Sequence, residues 1–354
     1  MRFKFEKRLT PTLLSSIFST IIAVVLAIAA SAILLWFVDV DVYEAFHALL
    51  IGAFGDLENI YGSLVKAVPL AFAGLATGIA FRAKIWNIGQ EGQVFAGAMM
   101  AYWVSSMIAL PWFLNIAVII LAGFIGGALL GALSGILKAK FKVDEIVSTV
   151  MLNYIIVFVL SYLLTSRLWM APGEYYIQTA QIPEINRLPI LLAGTNLHLG
   201  VLLAIVAVIA VHFVLTKTTF GYEIRAFGSN SEAARFRGIN PNRMFVLVLM
   251  ISGGLAGLGG AAQSFGVDFR ISQNFLLGLG STGIIVGVIA GLRPLGIGVA
   301  ALLFGGMSQG GLFMQVMADV SSAIVSSMQA IILIFFLCSS FLSRYRFTRI
   351  QPDD

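Results

Sequence analysis

Ten apolar stretches, most of them about twenty residues long, leave this chain few ways to fold. Crossing the ~30 Å hydrocarbon core of a bilayer takes about 20 mostly apolar residues. A water-soluble core has no need of so many runs of that length. The 354 residues are 59% hydrophobic and 11% charged, with a mean hydropathy of +0.96. The expected fold is an all-α integral membrane protein, a single transmembrane domain over residues 1–354, with no aqueous domain large enough for ordinary enzyme chemistry.

The stretches fall at 12–38, 60–81, 88–110, 113–137, 145–165, 198–216, 244–265, 274–292, 294–313 and 320–342. The first follows the basic segment MRFKFEKR. It is too long for a signal-peptide core, so it reads as a retained span. Ten spans put both termini on one side. All of the 22 basic residues except Lys66, Arg167, Arg187 and Arg270 then fall on that side, as cytoplasmic loops require. The net charge of +5 is therefore assigned to membrane edges and not to nucleic acid. The first outer loop carries Asp39, Asp41, Glu44, Asp56 and Glu58. The lone cysteine, Cys338, excludes a disulfide framework and reads as a packing residue.

Two loops are long. The outer loop 166–197 holds Trp169, Pro172, Tyr175, Tyr176, Pro183 and Pro189 and is expected to be irregular, open to an external partner. The inner segment 217–243 contains TFGYEIRAFGSNSEAARFRGINPNR. Ser229 followed by Glu232 has the spacing of a capping box. A helix of about two turns would follow, with Arg235 and Arg237 in its last turn, where cations suit the dipole. Gly238 supplies the left-handed position that ends a helix, and Pro241 blocks its resumption. So short a helix is marginal alone in water. It needs a lipid surface or a partner protein, unless it is only a solvated basic loop that sets topology.

The string Gly221 to Ile239 resembles the cytoplasmic coupling segment of ABC-importer permeases of the branched-chain amino acid, simple-sugar and nucleoside group. Gly78 to Ala98, with its N-I-G-Q-E-G-Q, resembles the same group and within it the nucleoside permeases. Gly280 to Gly296 is similar too, although Ile285, Gly287 and Val288 depart from the usual pattern. The resemblance implies that Glu223, Arg225, Gly228, Asn230, Ala233, Ala234, Arg235 and Gly238 form the surface that meets an ATPase subunit. It also implies two ATPases on separate chains that hold the ATP and Mg, a second permease that is a copy of this chain or a different one, and an external binding protein. The implied location is a bacterial plasma membrane. Nucleosides come first as solute, then sugars and branched-chain amino acids.

Polar side chains in a bilayer usually face a bundle interior or a cavity. Asn87, Gln90, Glu91, Gln93, Asn153, Gln263 and Gln309 are the candidates for the solute pathway. Amides offer both donor and acceptor to ribose hydroxyls and base edges. Each is equally able to bond one helix to another. Two placements are open for Glu91. It pairs with Arg82 or Lys84 at the inner surface, or Gly89 and Gly92 mark a broken helix whose free backbone groups line a cavity. Glycines recur every four residues at Gly123, Gly127, Gly131 and Gly135, at Gly283, Gly287 and Gly291, and at Gly253 and Gly257. They predict smooth strips for close backbone approach.

No phosphate-binding G-x-x-x-x-G-K-[ST] string occurs, so this chain does not cradle ATP by itself. No H-E-x-x-H or G-x-S-x-G occurs, and His47, His198 and His212 are scattered. An ion-coupled transporter would need intramembrane carboxylates, and the acidic residues other than Glu91 cluster at loop edges. A receptor or structural membrane protein is the remaining rival.

Overall fold

The computed structural model describes residues 3–7, 13–108, 110–171, 173, 176–273 and 278–349. Arg2, Arg8, Pro172, Tyr175 and the start of the 274–292 stretch lie outside them. The elements in chain order are β1 (Phe3–Lys7), α1 (Leu13–Phe37), α2 (Val42–Phe54), α3 (Leu57–Arg82), α4 (Gln90–Ser105), α5 (Trp112–Phe141) and α6 (Glu145–Thr165). Then come α7 (Leu199–Lys217), α8 (Thr219–Ser229), α9 (Ser231–Phe236), α10 (Pro241–Gln263), α11 (Leu279–Ile289), α12 (Pro294–Met317), α13 (Ser322–Arg344) and β2 (Tyr345–Arg349).

Each of the ten expected stretches holds a helix. Seven helices among the described residues are long and apolar enough to cross a membrane: α3, α5, α6, α7, α10 with its extension to Asp268, α12 and α13. Two expected spans are shorter than predicted. α4 has 16 residues, about 24 Å of helix, and α11 has 11, about 16 Å. Neither covers the ~30 Å core by itself.

The chain divides into two units. The first comprises residues 1–59 and 307–354. In it α1 packs on α13. β1 pairs antiparallel with β2, Phe3 opposite Arg349 and Lys7 opposite Tyr345. Leu35, Ala45, Ala48, Met314, Val320, Val325 and Met328 form its apolar core. Asp41 caps α2 by accepting from the Glu44 N–H at 2.9 Å. Cys338 is exposed on α13.

The second unit, residues 60–306, is built on α5, α10 and α4. The glycine strips meet as their spacing predicts. Gly123, Gly127 and Gly131 lie directly on the α10 backbone at Gly257, Gly253 and Leu249. A methyl at Gly135 would stand 2.7 Å from the Val246 Cα. The third strip departs from expectation: Gly283 and Gly287 face Ala73 and Thr77 of α3, but Gly291 touches nothing and takes a left-handed φ of 62°.

The 166–197 loop is irregular as expected, with one 3-10 turn at Glu184–Asn186. It is nonetheless fixed to the chain that follows α10. The Thr179, Ile182 and Leu188 N–H groups donate to the Ile271, Phe269 and Phe265 carbonyls at 2.9, 2.8 and 2.9 Å. The Arg187 guanidinium lies 4.5 Å over the Phe269 ring. His198 ends the loop and caps α7, its Nδ1 accepting from the Gly200 N–H at 3.1 Å. The ring is 1% exposed, and burial lowers its pKa from 6.5 to about 4.

Gly127→Val is expected to destabilise the second unit by about 1–3 kcal/mol or more through overpacking. Gly298→Ala serves as the control, because its only neighbours within reach are Val208 methyls at 3.5 Å. Thermal melting in detergent checks the pair. A second expectation concerns acid. His198 is neutral when folded and gains a proton on unfolding at low pH, so its contribution is complete above the unfolded pKa and is lost as pH falls toward the folded one. Acidification from about pH 7 to about pH 5 should cost about 2 kcal/mol. His198→Asn keeps an acceptor for the cap and should remove that sensitivity in the same melting assay.

Candidate functional site

The 217–243 segment folds into two short helices set at an angle by Asn230. α8 begins where the Thr218 hydroxyl accepts from the Gly221 N–H at 3.2 Å. Its inward face is Gly221, Ile224, Phe227 and Gly228, three and four residues apart as one helix face requires. Gly221 rests on the Val214 carbonyl of α7, and Gly228 rests on the Arg82 carbonyl at the end of α3. Phe227 meets Phe245 of α10 edge to face at 5.5 Å, and the Lys138 ammonium lies 5.7 Å from the same ring.

The capping residue of α9 is Asn230, which accepts from the Glu232 and Ala233 N–H groups at 3.0 Å each. Ser229, the expected cap, instead donates its hydroxyl to the Arg225 carbonyl at 2.8 Å, one turn back within α8. The other end is as predicted. Gly238 has φ 88°, its N–H donates to the Arg235 carbonyl at 3.0 Å, and the Ile239 N–H reaches the Ala234 carbonyl at 3.1 Å. That pair of bonds is the Schellman closure. Pro241 does not merely end a helix; it opens α10, with Asn240 as cap.

Of the expected docking residues, Arg225, Asn230, Ala233, Arg235 and Gly238 are exposed and Glu223 is half-buried. Gly228 and Ala234 turn inward, Ala234 being 3% exposed. Gly228 holds the segment against the end of α3, and neither residue is on the free surface. The free surface includes a residue absent from the expected set: Phe236 is 90% exposed at the end of α9. An aromatic between Arg235 and Arg237 was the available signal.

The second polar region is the connection between α3 and α4. Residues 83–89 are not helical, and Ile85, Asn87 and Gly89 within them are buried. Buried backbone outside a helix needs side-chain partners, and the candidate amides supply them. Asn87 donates to Gln93 Oε1 at 2.9 Å and to Ser252 Oγ at 2.8 Å, and its Oδ1 accepts from the Gly89 N–H at 3.1 Å. Asn153 accepts from the Gly92 N–H at 2.8 Å and donates to the Ile88 carbonyl at 3.0 Å. The Gln90 amide turns its nitrogen to the Ala73 carbonyl at 2.8 Å and its oxygen to Thr77 Oγ1 at 2.6 Å. Asn87, Gln90, Gln93 and Asn153 thus come together as internal ties. Gln263 bonds Asp268 at 3.3 Å, away from them in sequence, and Gln309 belongs to the first unit.

Glu91 does not pair with Arg82 or Lys84. Its Oε1 accepts from the N–H of Gly278 at 3.0 Å, just ahead of α11. Arg82 sends its Nε–H to the Leu292 carbonyl, just beyond the other end of α11, at 2.9 Å. The chain is broken at residues 83–89, but Gly92 lies inside α4, and the Gly89 N–H and Ile88 carbonyl are met by Asn87 and Asn153.

This is a multi-pass membrane protein with a folded polar segment between its sixth and seventh expected spans. Residues 59–337 match the family model described as branched-chain amino acid transport system / permease component, and the chain belongs to that family. It is 32% identical over 338 residues to the guanosine ABC transporter permease protein NupP of Bacillus subtilis, covering 94% of this chain and 96% of that one. It is 31% identical over 337 residues to the glucose ABC transporter permease protein TsgB13 of Haloferax volcanii, covering 92% and 88%. It is 30% identical over 321 residues to the nucleoside ABC transporter permease protein NupB of Lactococcus lactis, covering 86% and 88%. No solved structure matches the chain.

Asn153→Ala would strand the Gly92 N–H and the Ile88 carbonyl. It is expected to lower stability by about 1–3 kcal/mol, with hydrogen exchange quickening at residues 88–92. Exchange that stays as slow as in the parent would remove Asn153 from this role.

Proposed function

We propose that this chain is the membrane-spanning permease subunit of an ATP-driven ABC importer in a bacterial plasma membrane, with a nucleoside as its solute. Hydrolysis belongs to ATPase subunits on other chains, which bind the ATP and Mg. The observation that carries this reading is the build of 217–243. An isolated helix of six residues has no stability of its own, yet α9 is capped at both ends and backed by α8. Its outward side presents Glu232, Ala233, Arg235 and Phe236. Exposed aromatics and arginines on a rigid base are the residues that dominate protein interfaces. An ATPase that closes on ATP would push this surface and switch access across the bundle.

Both termini and the 217–243 segment face the cytoplasm in this reading, and the 166–197 loop faces outward to receive a binding protein. A second permease, a copy or a different chain, completes the complex. Nucleosides rank first because NupP and NupB are named for guanosine and nucleosides. The similarity to TsgB13, named for glucose, makes a sugar the second reading. A binding screen of nucleosides, sugars and amino acids on the cognate external binding protein decides between them.

Phe236→Asp should leave insertion and melting unchanged. It should weaken ATPase docking by about 2 kcal/mol, roughly thirtyfold in affinity, with a matching fall in ATP-driven uptake into liposomes. Uptake at the parental rate would remove α9 from the docking surface. Uptake without any ATPase would refute the importer reading.

A further inference from the structure

α11 is too short to cross a membrane, and it is tied at both ends by one stretch of chain. At its N-terminal end Glu91 accepts from the Gly278 N–H at 3.0 Å. Gly280, the second residue of the helix, lies directly on the α4 backbone at Gln90 and Glu91, where only glycine fits. At its C-terminal end the Arg82 guanidinium donates to the Leu292 carbonyl at 2.9 Å. An anion at a helix N-terminus and a cation at its C-terminus both favour the helix dipole. Arg82 and Glu91 flank the non-helical connection 83–89. Such a connection reaches about 20 Å when extended, enough to run alongside a helix of about 16 Å.

The contacts between these ties are small. Gly283 meets Ala73, and Gly287 meets Thr77. Both ends carry left-handed backbone, Gly278 at φ 85°, Gly291 at 62° and Leu292 at 59°. Sharp turns at both ends of an element suit one that shifts as a body. The C-terminal tie also touches the 217–243 segment. Gly228 of α8 rests on the Arg82 main-chain carbonyl, and Arg225 and Arg293 lie within electrostatic reach of its guanidinium. α8, the Arg82 backbone and the end of α11 are in series.

We propose that α11 is the element that the 217–243 segment moves during transport, with Arg82 and Glu91 as its positioning residues. Arg82 passes displacement of α8 to the C-terminal end of α11, and Glu91 holds the N-terminal end as the pivot. This rests on reading 217–243 as the ATPase-docking segment.

The test uses the full complex in liposomes, with the ATPase, the partner permease and the binding protein. R82Q and E91A should each lower maximal uptake about tenfold, the effect of one lost charge-assisted bond, while the half-saturating solute concentration stays within about twofold. ATP hydrolysis should continue, uncoupled from uptake. E91Q keeps an acceptor for the Gly278 N–H and should restore most of the uptake, which a loss of folding would not predict. If E91A or R82Q fails to insert, E91Q and R82K carry the comparison, with R82K expected to be impaired because it lacks the Nε fork. Spin labels at S281C on α11 and L121C on α5, in a C338S background, report the motion. The distance should change between nucleotide-free and ATP-trapped complexes, and R82Q should abolish the change. A constant distance in a complex that transports on ATP would overturn the role of α11 alone. Wild-type coupling in R82Q and E91A would do the same. Uptake without the ATPase would instead remove the docking reading on which the proposal stands.

Discussion

A bilayer offers no water to unpaired backbone groups, so every stretch of non-helical chain at membrane depth must find its partners in the protein. Buried backbone outside a helix makes the same demand wherever it lies, and the second unit meets it at residues 83–89, next to Arg82 at the end of α3. The chain leaves helical conformation at Arg82 and regains it at Gln90. The free groups between are met by Asn87, Asn153 and the first turn of α4. Asn87 in turn draws in Gln93 of α4 and Ser252 of α10, and Gln90 bonds Thr77 of α3. Four elements are thereby fixed by one break. The same break leaves Arg82 and Glu91 free to hold another element.

How much of this can be read from the sequence depends on what kind of signal each feature leaves. α6 and α7 match their predicted bounds to within a residue, because a charged or polar cap interrupts each apolar run where the helix stops. The glycine strips on α5 and α10 are also legible. A four-residue spacing has one geometric meaning on a helix, and the structure puts Gly127 and Gly253 on each other's backbones. The shortness of α4 and α11 is not legible. For α4 the break itself is legible, since Arg82, Lys84 and Asn87 interrupt the apolar run where the expected spans leave 82–87 open. What hydropathy misses is the early end at Ser105, beyond which Met107, Ile108 and Leu110 continue the apolar pattern.

The polar residues show a different limit. Side-chain type says that Asn87 and Asn153 need partners, but not whether those partners are solute or backbone. The partners of Glu91 and Arg82 are 187 and 210 residues away in sequence, beyond any local pattern. The cap of α9 is a nearer case. Ser229 and Asn230 both favour the position; α8 runs through Ser229, which leaves the cap of α9 to Asn230.

The contrast between the two kinds of packing bears on how such a bundle transmits force. α5 and α10 touch along four successive glycines, backbone on backbone. Dense contact of that kind behaves as one body, because a packed interior has few intermediate arrangements. α11 meets α3 and α4 through Gly280, Gly283, Gly287 and the buried Val286, and is tied at both ends to the chain between 82 and 91. Work applied at α8 meets the dense α10 bundle through Phe227 and Phe245, and meets α11 through the Arg82 carbonyl. If α8 receives work from an ATPase as proposed, the Arg82 tie is the route by which it reaches the end of α11.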